Sequence, residues 1–187
     1  MTLQRARYTK IERIVDALLA SAPGEPPVAI EAMVQQRGVD LRQGDLGDVS
    51  GLLVRDGNRA TIGVNSNQHR VRQRFTIAHE FGHFLLHEGI VEHVDHGYRI
   101  TPRGEGPYDV RVNYRSPVSS QATDVEEIEA NFFAASLLMP HSLLEEHSAL
   151  LAIDDDGEVR KLARLFDVSA HAMSLRLSNV YRRYAPY

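Results

Sequence analysis

The sequence predicts an α+β fold that is mostly helical, with a small sheet that comes before a central helix. Apolar residues recur every three or four positions in several segments, which indicates amphipathic helices. Two short apolar runs flank Asp56, Gly57 and Asn58, and this arrangement is a strong signal for a β-hairpin. The chain has 187 residues, the length of one ordinary domain, so we expect residues 1–187 to form a single domain.

The first part of the chain contains two predicted helices and the hairpin. Residues 8–20 place their apolar side chains on one helical face. Residues 28–37 form a second predicted helix, which ends at Gly38. Strands over residues 52–54 and 60–64 follow, so the small sheet comes just before the central helix.

The central helix is predicted over residues 72–87. Its buried apolar stripe consists of Phe75, Ala78, Gly82, Leu85 and Leu86. Residues 89–122 show no helical period and are rich in Gly, Pro, Arg and Tyr, so we interpret them as a functional or flexible loop. Within this loop, residues 108–114 alternate between apolar and polar side chains, which fits a short strand.

The rest of the chain is predicted to be helical. Thr123 and Glu126 match a capping box and begin a helix that ends before Pro140. The apolar side chains expected to point inward from this helix are Ile128, Phe132, Ala135 and Leu138. A short helix over residues 140–147 and an acidic boundary at residues 154–156 follow.

Residues 157–187 are predicted to form a C-terminal pair of helices, 159–166 and 169–183. Their spacing resembles a helix-turn-helix, but many helix pairs that do not bind DNA share this spacing. Residues 169–174, at the start of the second helix, offer few side chains that could read bases. We therefore predict that the pair packs on the domain and binds no specific DNA sequence.

Composition argues against several classes of protein. The net charge of -4 and the pI of about 6.1 give no overall attraction for nucleic acid. No segment reaches the roughly 18 consecutive apolar residues of a membrane-spanning helix, and residues 1–10 do not resemble a signal peptide. We expect a cytoplasmic protein that does not enter membranes. Because the chain has no cysteine, imidazole and carboxylate groups must hold any metal.

The segment His79-Glu80-Phe81-Gly82-His83 predicts the chemistry. Residues four apart lie on the same face of a helix, so the two histidines can bind one Zn²⁺ ion. The intervening Glu80 would then accept a proton from the water that attacks the substrate. The segment lies in a predicted helix with a buried apolar stripe and contains no proline, which favours a metal site over two histidines on a solvated surface.

A catalytic zinc site needs a third protein ligand. At a rise of about 1.5 Å per residue, His87 lies about 12 Å along the helix from His79, so it cannot share the metal. We expect a solvent-facing or supporting role for His87. His93 and His96 lie in the loop, and the extension of the motif that recruits a third histidine is absent. The remaining candidates lie near the start of the next helix: Glu126, Glu127 and Glu129.

Helix geometry favours Glu127 among these three residues. Glu126 is interpreted as part of the capping box. Glu127 and Asn131 are four residues apart on one face, so a carboxylate ligand would lie beside an amide that can orient a histidine. Glu129 is about 200° further around the helix and has no such partner, although this geometry excludes it only incompletely.

Two segments of the chain resemble the ImmA/IrrE family of metallopeptidases: residues 73–87, QRFTIAHEFGHFLLH, and residues 127–140, EIEANFFAASLLMP. Both segments occur in the family's order and spacing, and the resemblance spans most of the chain. It implies a compact zincin-like fold in which the small sheet packs beside the active-site helix. It also implies a glutamate ligand from the downstream helix, which would be Glu127. It also implies that a C-terminal helical pair commonly accompanies the peptidase.

We therefore expect a zinc endopeptidase in which His79, His83 and Glu127 bind the metal and Glu80 is the catalytic base. The resemblance implies that the substrate is a helix-turn-helix repressor, cleaved in a stress or mobile-element response. The competing prediction is a zinc-binding regulatory or DNA-binding module without proteolysis. The candidates for an oxyanion donor, none of them assigned, are Tyr98, Tyr108, Tyr114, His93 and His96.

Overall fold

Helices pack against a small four-stranded sheet, which confirms the predicted α+β, zincin-like fold. The structure is a computed structural model that describes residues 6–20, 24–87, 92–95, 117–147 and 155–184, with residues 92, 117–124, 183 and 184 described by their backbone alone. Within these ranges, no helix is long and apolar enough to cross a membrane. The strand predicted over residues 108–114 lies outside the described residues.

Two short helices begin the fold, α1 (Tyr8–Leu19) and α2 (Ile30–Gln36). The buried side chains of α1 recur at helical spacing: Ile11, Val15 and Leu18. α2 is shorter than the predicted helix over residues 28–37, but it ends before Gly38 as expected. Gly38 has a φ of 73°, a conformation that side chains other than glycine's rarely adopt.

The sheet has the strand order β1-β3-β2-β4. Its strands are β1 (Val39–Gly44), β2 (Gly51–Asp56), β3 (Arg59–Asn65) and β4 (Glu92–Asp95). β2 and β3 form the predicted hairpin, with Gly57 at a φ of 57° in the turn. The sequence does not predict β1, which pairs in parallel with β3, because only Val39 and Leu41 in it are apolar. β4 pairs antiparallel with β2 at the edge of the sheet.

The central helix α3 (Arg70–Leu86) packs between the sheet and the long helix α4 (Pro117–Leu138). On the sheet side, a Cβ atom on Gly51 would lie 2.2 Å from Cγ2 of Thr76 in α3. On the other side, a Cβ atom on Gly82 would lie 3.3 Å from Cα of Ala130 in α4. Glycine at these two positions therefore lets α3 approach both neighbours closely.

Helix α4 corrects two predictions. It begins before Thr123, so the predicted capping box does not mark its start. The predicted inward stripe is partly wrong, because Ile128 is 47% exposed, although Leu138 is buried. The buried apolar residues are Ala130, Phe133, Ala134, Leu137 and Leu138. Because α4 contacts both α1 and α3, its buried face is wider than one stripe and is rotated from the predicted one.

Three helices complete the described chain: α5 (His141–Glu146), α6 (Asp156–Phe166) and α7 (Ala170–Tyr184). Asp167 joins α6 to α7 in a left-handed conformation, with a φ of 53°. Its carboxylate pairs with Arg70 and Arg74 of α3. Arg176 of α7 donates a hydrogen bond of 3.1 Å to the carbonyl oxygen of Met139. The C-terminal pair thus contacts α3, which carries the motif, and the residue that follows α4. The limits of the single domain stay a prediction.

Candidate metal centre

The central helix brings its two motif histidines together on a buried face. His79 and His83 lie one turn apart in α3, with 3.1 Å between their Nε2 atoms. His79 is 3% exposed, and both His83 and Glu80 are fully buried. The two histidines therefore do not lie on a solvated helix surface.

Glu127 reaches the two histidines from α4. One of its carboxylate oxygens lies 3.4 Å from Nε2 of His79, and the other lies 3.2 Å from Nε2 of His83. Glu129, two residues further along α4, is buried and pairs with Arg7 instead. Residues two apart diverge by about 200° around a helix, so only one of the two glutamates can face the histidines.

Asn131 contacts the ring of His79 on the side away from Glu127. Its Oδ1 atom lies 3.1 Å from Nδ1 of His79, so it accepts a hydrogen bond from that nitrogen. A histidine that donates through Nδ1 keeps the lone pair on Nε2, which is the atom that faces His83 and Glu127. This is the contact expected from the four-residue spacing between Glu127 and Asn131.

His87 is buried, so the solvent-facing role considered for it is wrong. It lies one turn beyond His83 in the chain, and its Nδ1 atom is 3.0 Å from Nδ1 of His83. Its Nε2 atom is 3.2 Å from a carboxylate oxygen of Glu129. His87 therefore contacts His83 at Nδ1, the ring nitrogen that does not face His79 and Glu127. This contact fits the supporting role, the other role expected for His87.

His93 joins the site from the edge strand β4. Its Nδ1 atom lies 3.0 Å from a carboxylate oxygen of Glu80, and its Nε2 atom lies 2.8 Å from an oxygen of Glu127. Its ring stacks on that of His83, with 3.9 Å between centroids. The sequence leaves His93 unassigned, because a four-residue strand with one apolar side chain gives no periodic signal. His96 and the three tyrosines considered as oxyanion donors lie outside the described residues.

The charges of the site differ strongly from one residue to the next. Burial lowers the pKa of His83 to about 3, so this imidazole is neutral at pH 7. Burial alone would raise the pKa of Glu127, but hydrogen bonds with His79, His83 and His93 hold it well below its usual range. For His93 the two effects have the opposite signs. Burial alone would lower its pKa, but hydrogen bonds with Glu127 and Glu80 raise that pKa to about 10. A neutral imidazole and an ionised carboxylate are the forms that bind metals.

The donor atoms fit a divalent metal ion. Two ligand atoms that each lie about 2.1 Å from a tetrahedral ion are about 3.4 Å apart. The Nε2 atoms of His79 and His83 are 3.1 Å apart, and the nearer oxygen of Glu127 lies 3.4 Å from the first and 3.2 Å from the second, a different oxygen in each case. These separations are close to that value, so the three side chains could share one ion. These three residues and His93 each offer a ligand atom, and the four atoms lie within 4.8 Å of one another.

The sequence is similar to known proteins over most of its length. Residues 34–178, which include the histidine pair, Glu80 and Glu127, match peptidase family M78, described as the IrrE N-terminal-like domain. The chain is 26% identical over 175 residues to a protein named uncharacterized immunity region protein 2 of Bacillus phage phi105, across 90% of this chain and 97% of that protein. It is 27% identical over 142 residues to the metallopeptidase ImmA of Bacillus subtilis strain 168, across 75% of this chain and 69% of that protein.

Proposed function

We propose that this chain, which belongs to the M78 family of metallopeptidases with an IrrE N-terminal-like domain, is a zinc-dependent endopeptidase. The observation that carries the proposal is the meeting of donor atoms from His79, His83 and Glu127 beside a buried Glu80. Two imidazoles and one carboxylate suit Zn²⁺, and three protein ligands leave a position open for water.

Each residue of the site has a distinct role in this proposal. His79, His83 and Glu127 hold the metal. When bound, a zinc ion lowers the pKa of water towards about 7 and polarises the carbonyl of the scissile bond. Glu80 accepts the proton of the attacking water on a carboxylate oxygen and donates it to the leaving amine. Asn131 keeps Nε2 of His79 directed at the other two ligands.

We leave His93 outside the ligand set, although its ring lies within reach of the same point. A fourth protein ligand would complete a closed, tetrahedral site of the structural kind. A peptidase needs the fourth position for water, and three other residues already supply its protein ligands. The contact between His93 and Glu80 puts this imidazole next to the catalytic base instead.

We further propose that the substrate is a protein, and specifically a helix-turn-helix repressor. The resemblance to the ImmA/IrrE family supports this substrate. The name of the phage relative refers to an immunity region, which supports a mobile-element or stress setting for the cleavage. We propose a cytoplasmic location because that is where a DNA-bound repressor would meet the enzyme.

Incubation with the repressor encoded nearest to this gene tests the proposal. Zinc content would be measured by atomic absorption, and cleavage by gel electrophoresis and mass spectrometry. We expect the protein to hold one zinc ion and to cut the repressor. Glu80→Gln should keep the fold and the zinc but lose cleavage, because an amide cannot accept the proton. Glu146→Gln, the same change at an exposed residue of α5, is the matched control and should cleave normally.

Two results would contradict this function. Undiminished proteolysis by Glu80→Gln would refute the role of Glu80 as base. Full zinc content with no cleavage of any protein offered, either by the unmodified chain or by the Glu146→Gln control, would favour the alternative of a zinc-binding regulatory or DNA-binding module.

A further inference from the structure

A buried carboxylate outside the proposed ligand set is tied to the start of the chain. Glu129 is only 1% exposed, yet both of its oxygens are paired. One oxygen accepts hydrogen bonds from the backbone nitrogen and from Nε of Arg7, at 2.7 and 2.9 Å. The other accepts from Nη2 of Arg7 at 2.5 Å and faces Nε2 of His87 at 3.2 Å. Arg7 thus balances the charge of Glu129, which a buried carboxylate requires.

The contacts continue from Glu129 to a proposed metal ligand. His87 lies between Glu129 and His83, with its Nε2 atom towards the carboxylate and its Nδ1 atom 3.0 Å from Nδ1 of His83. Nε2 of His83 in turn faces His79 and Glu127. Four side chains therefore lie in a row from Arg7 to the atom of His83 that would bind the metal.

Only one arrangement of hydrogens satisfies every contact in this row when Nε2 of His83 binds a metal. A neutral His83 then carries its hydrogen on Nδ1, and it donates that hydrogen to His87. Nδ1 of His87 must accept, so the hydrogen of His87 lies on Nε2, where it is donated to Glu129. The ionised Glu129 only accepts, and Arg7 supplies the remaining donors.

We propose that Arg7, Glu129 and His87 form a hydrogen-bonded relay that fixes the tautomer and orientation of His83 as a metal ligand. This inference rests on the metal site of the proposed function. Glu129 and His87 are positioning residues in it, because they act through His83 and lie outside the proposed ligand set. Replacing such an outer partner typically weakens metal binding by about 10- to 100-fold.

The relay also links the metal site to the first helix. Arg7 immediately precedes α1, and it meets Glu129 through its backbone as well as its side chain. The two residues are 122 positions apart in the sequence. Since coupling between two sites is reciprocal, metal binding should in turn stabilise the docking of the start of α1.

Zinc affinity and imidazole tautomers test the relay in the full-length protein. Competition with a chelator of known affinity would be measured for the unmodified chain, Glu129→Gln and His87→Phe. We expect both variants to bind zinc about 10- to 100-fold more weakly. Glu146→Gln makes the same change at an exposed residue of α5, so this matched control should keep its affinity within about twofold.

Nitrogen NMR of the histidine-labelled, zinc-loaded chain provides a readout that does not depend on any variant folding. We expect His83 to carry its hydrogen on Nδ1 and His87 to carry its hydrogen on Nε2. A hydrogen on Nδ1 of His87, or affinities of both variants within twofold of the unmodified chain, would overturn the relay while leaving zinc binding and proteolysis intact. Failure of the unmodified chain to bind zinc would overturn the relay together with the proposed function.

Discussion

Replacing Gly51 by alanine tests how tightly the sheet positions the motif helix. The added methyl group would lie 2.2 Å from Cγ2 of Thr76, whereas unstrained carbon atoms stay about 3.5 to 4.0 Å apart. The clash falls on a buried side chain in the middle of α3, between two closely packed layers. The strand and the helix must therefore move apart, or Thr76 must leave its rotamer.

The expected loss of stability follows from two opposing effects. Overpacking of this kind costs about 1 to 3 kcal/mol in the free energy of unfolding. Replacing glycine also lowers the conformational entropy of the unfolded chain, which raises the free energy of unfolding by about 0.4 to 1 kcal/mol. We expect a net loss of about 1 to 2 kcal/mol for Gly51→Ala. With a urea dependence of about 2 kcal/mol per molar, the unfolding midpoint should fall by about 0.5 to 1 M.

Thr76→Ala provides the matching relief of the clash. It removes Cγ2, and Oγ1 of Thr76 is buried without a hydrogen-bond partner among the described residues, so no hydrogen bond is lost. The lost methyl contact, about 1 kcal/mol, is largely offset by the better helix propensity of alanine. We therefore expect Thr76→Ala to be nearly neutral and Gly51→Ala to cost little in its presence.

Urea unfolding of the four proteins, followed by circular dichroism, gives the coupling between the two sites. Repressor cleavage should fall in parallel, because Glu80 lies one turn after Thr76 in α3 and moves with the helix when the clash displaces it. The steric reasoning would be refuted if Gly51→Ala lowered the free energy of unfolding equally in the unmodified chain and in the Thr76→Ala variant. An unchanged midpoint for Gly51→Ala alone would refute it as well.

Three further predictions concern the ligand, the core and the C-terminal helices. Glu127→Ala should purify with little zinc, because only Glu127 faces both motif histidines. Glu129→Ala loses a positioning residue but no ligand, so it should bind zinc more weakly and still purify with most of it; atomic absorption giving the reverse order would mean that Glu129 is the ligand. Phe133→Ala should lower the free energy of unfolding by about 3 to 5 kcal/mol, because the ring of Phe133 is fully buried against Gly82. A decrease below about 1 kcal/mol, measured by urea unfolding, would contradict this packing. The full-length chain should enrich no sequence from a random pool of DNA duplexes, because residues 169–174 offer few base-reading groups. An enriched sequence whose binding requires residues 157–187 would show that the C-terminal helices do bind specific DNA.

The sequence predicts the features that depend on residues close together in the chain. The spacing of His79 and His83 is one helical turn, so the backbone of α3 alone brings their rings to one side. The hairpin follows from the turn at Gly57 and the apolar runs on either side of it. The contact between Asn131 and His79 was expected because Asn131 lies one turn after Glu127 on the same face of α4.

Other features depend on segments that are distant in the sequence, and no local pattern indicates them. His93 meets Glu80 only because β4 pairs with β2 at the edge of the sheet. The buried face of α4 differs from the predicted one at Ile128, because the sequence of one helix does not reveal that both α1 and α3 pack against it.

The glutamates of α4 show most clearly what each level decides. The sequence alone determines that Glu127 and Glu129 point in different directions, since the 3.6-residue turn of a helix separates them by about 200°. Because Asn131 lies one turn after Glu127, the sequence also favours Glu127 as the residue that faces the histidines. Only the tertiary structure decides that Glu129 is buried at all, because its burial requires the charge of Arg7, which the packing of α1 against α4 brings from 122 positions away.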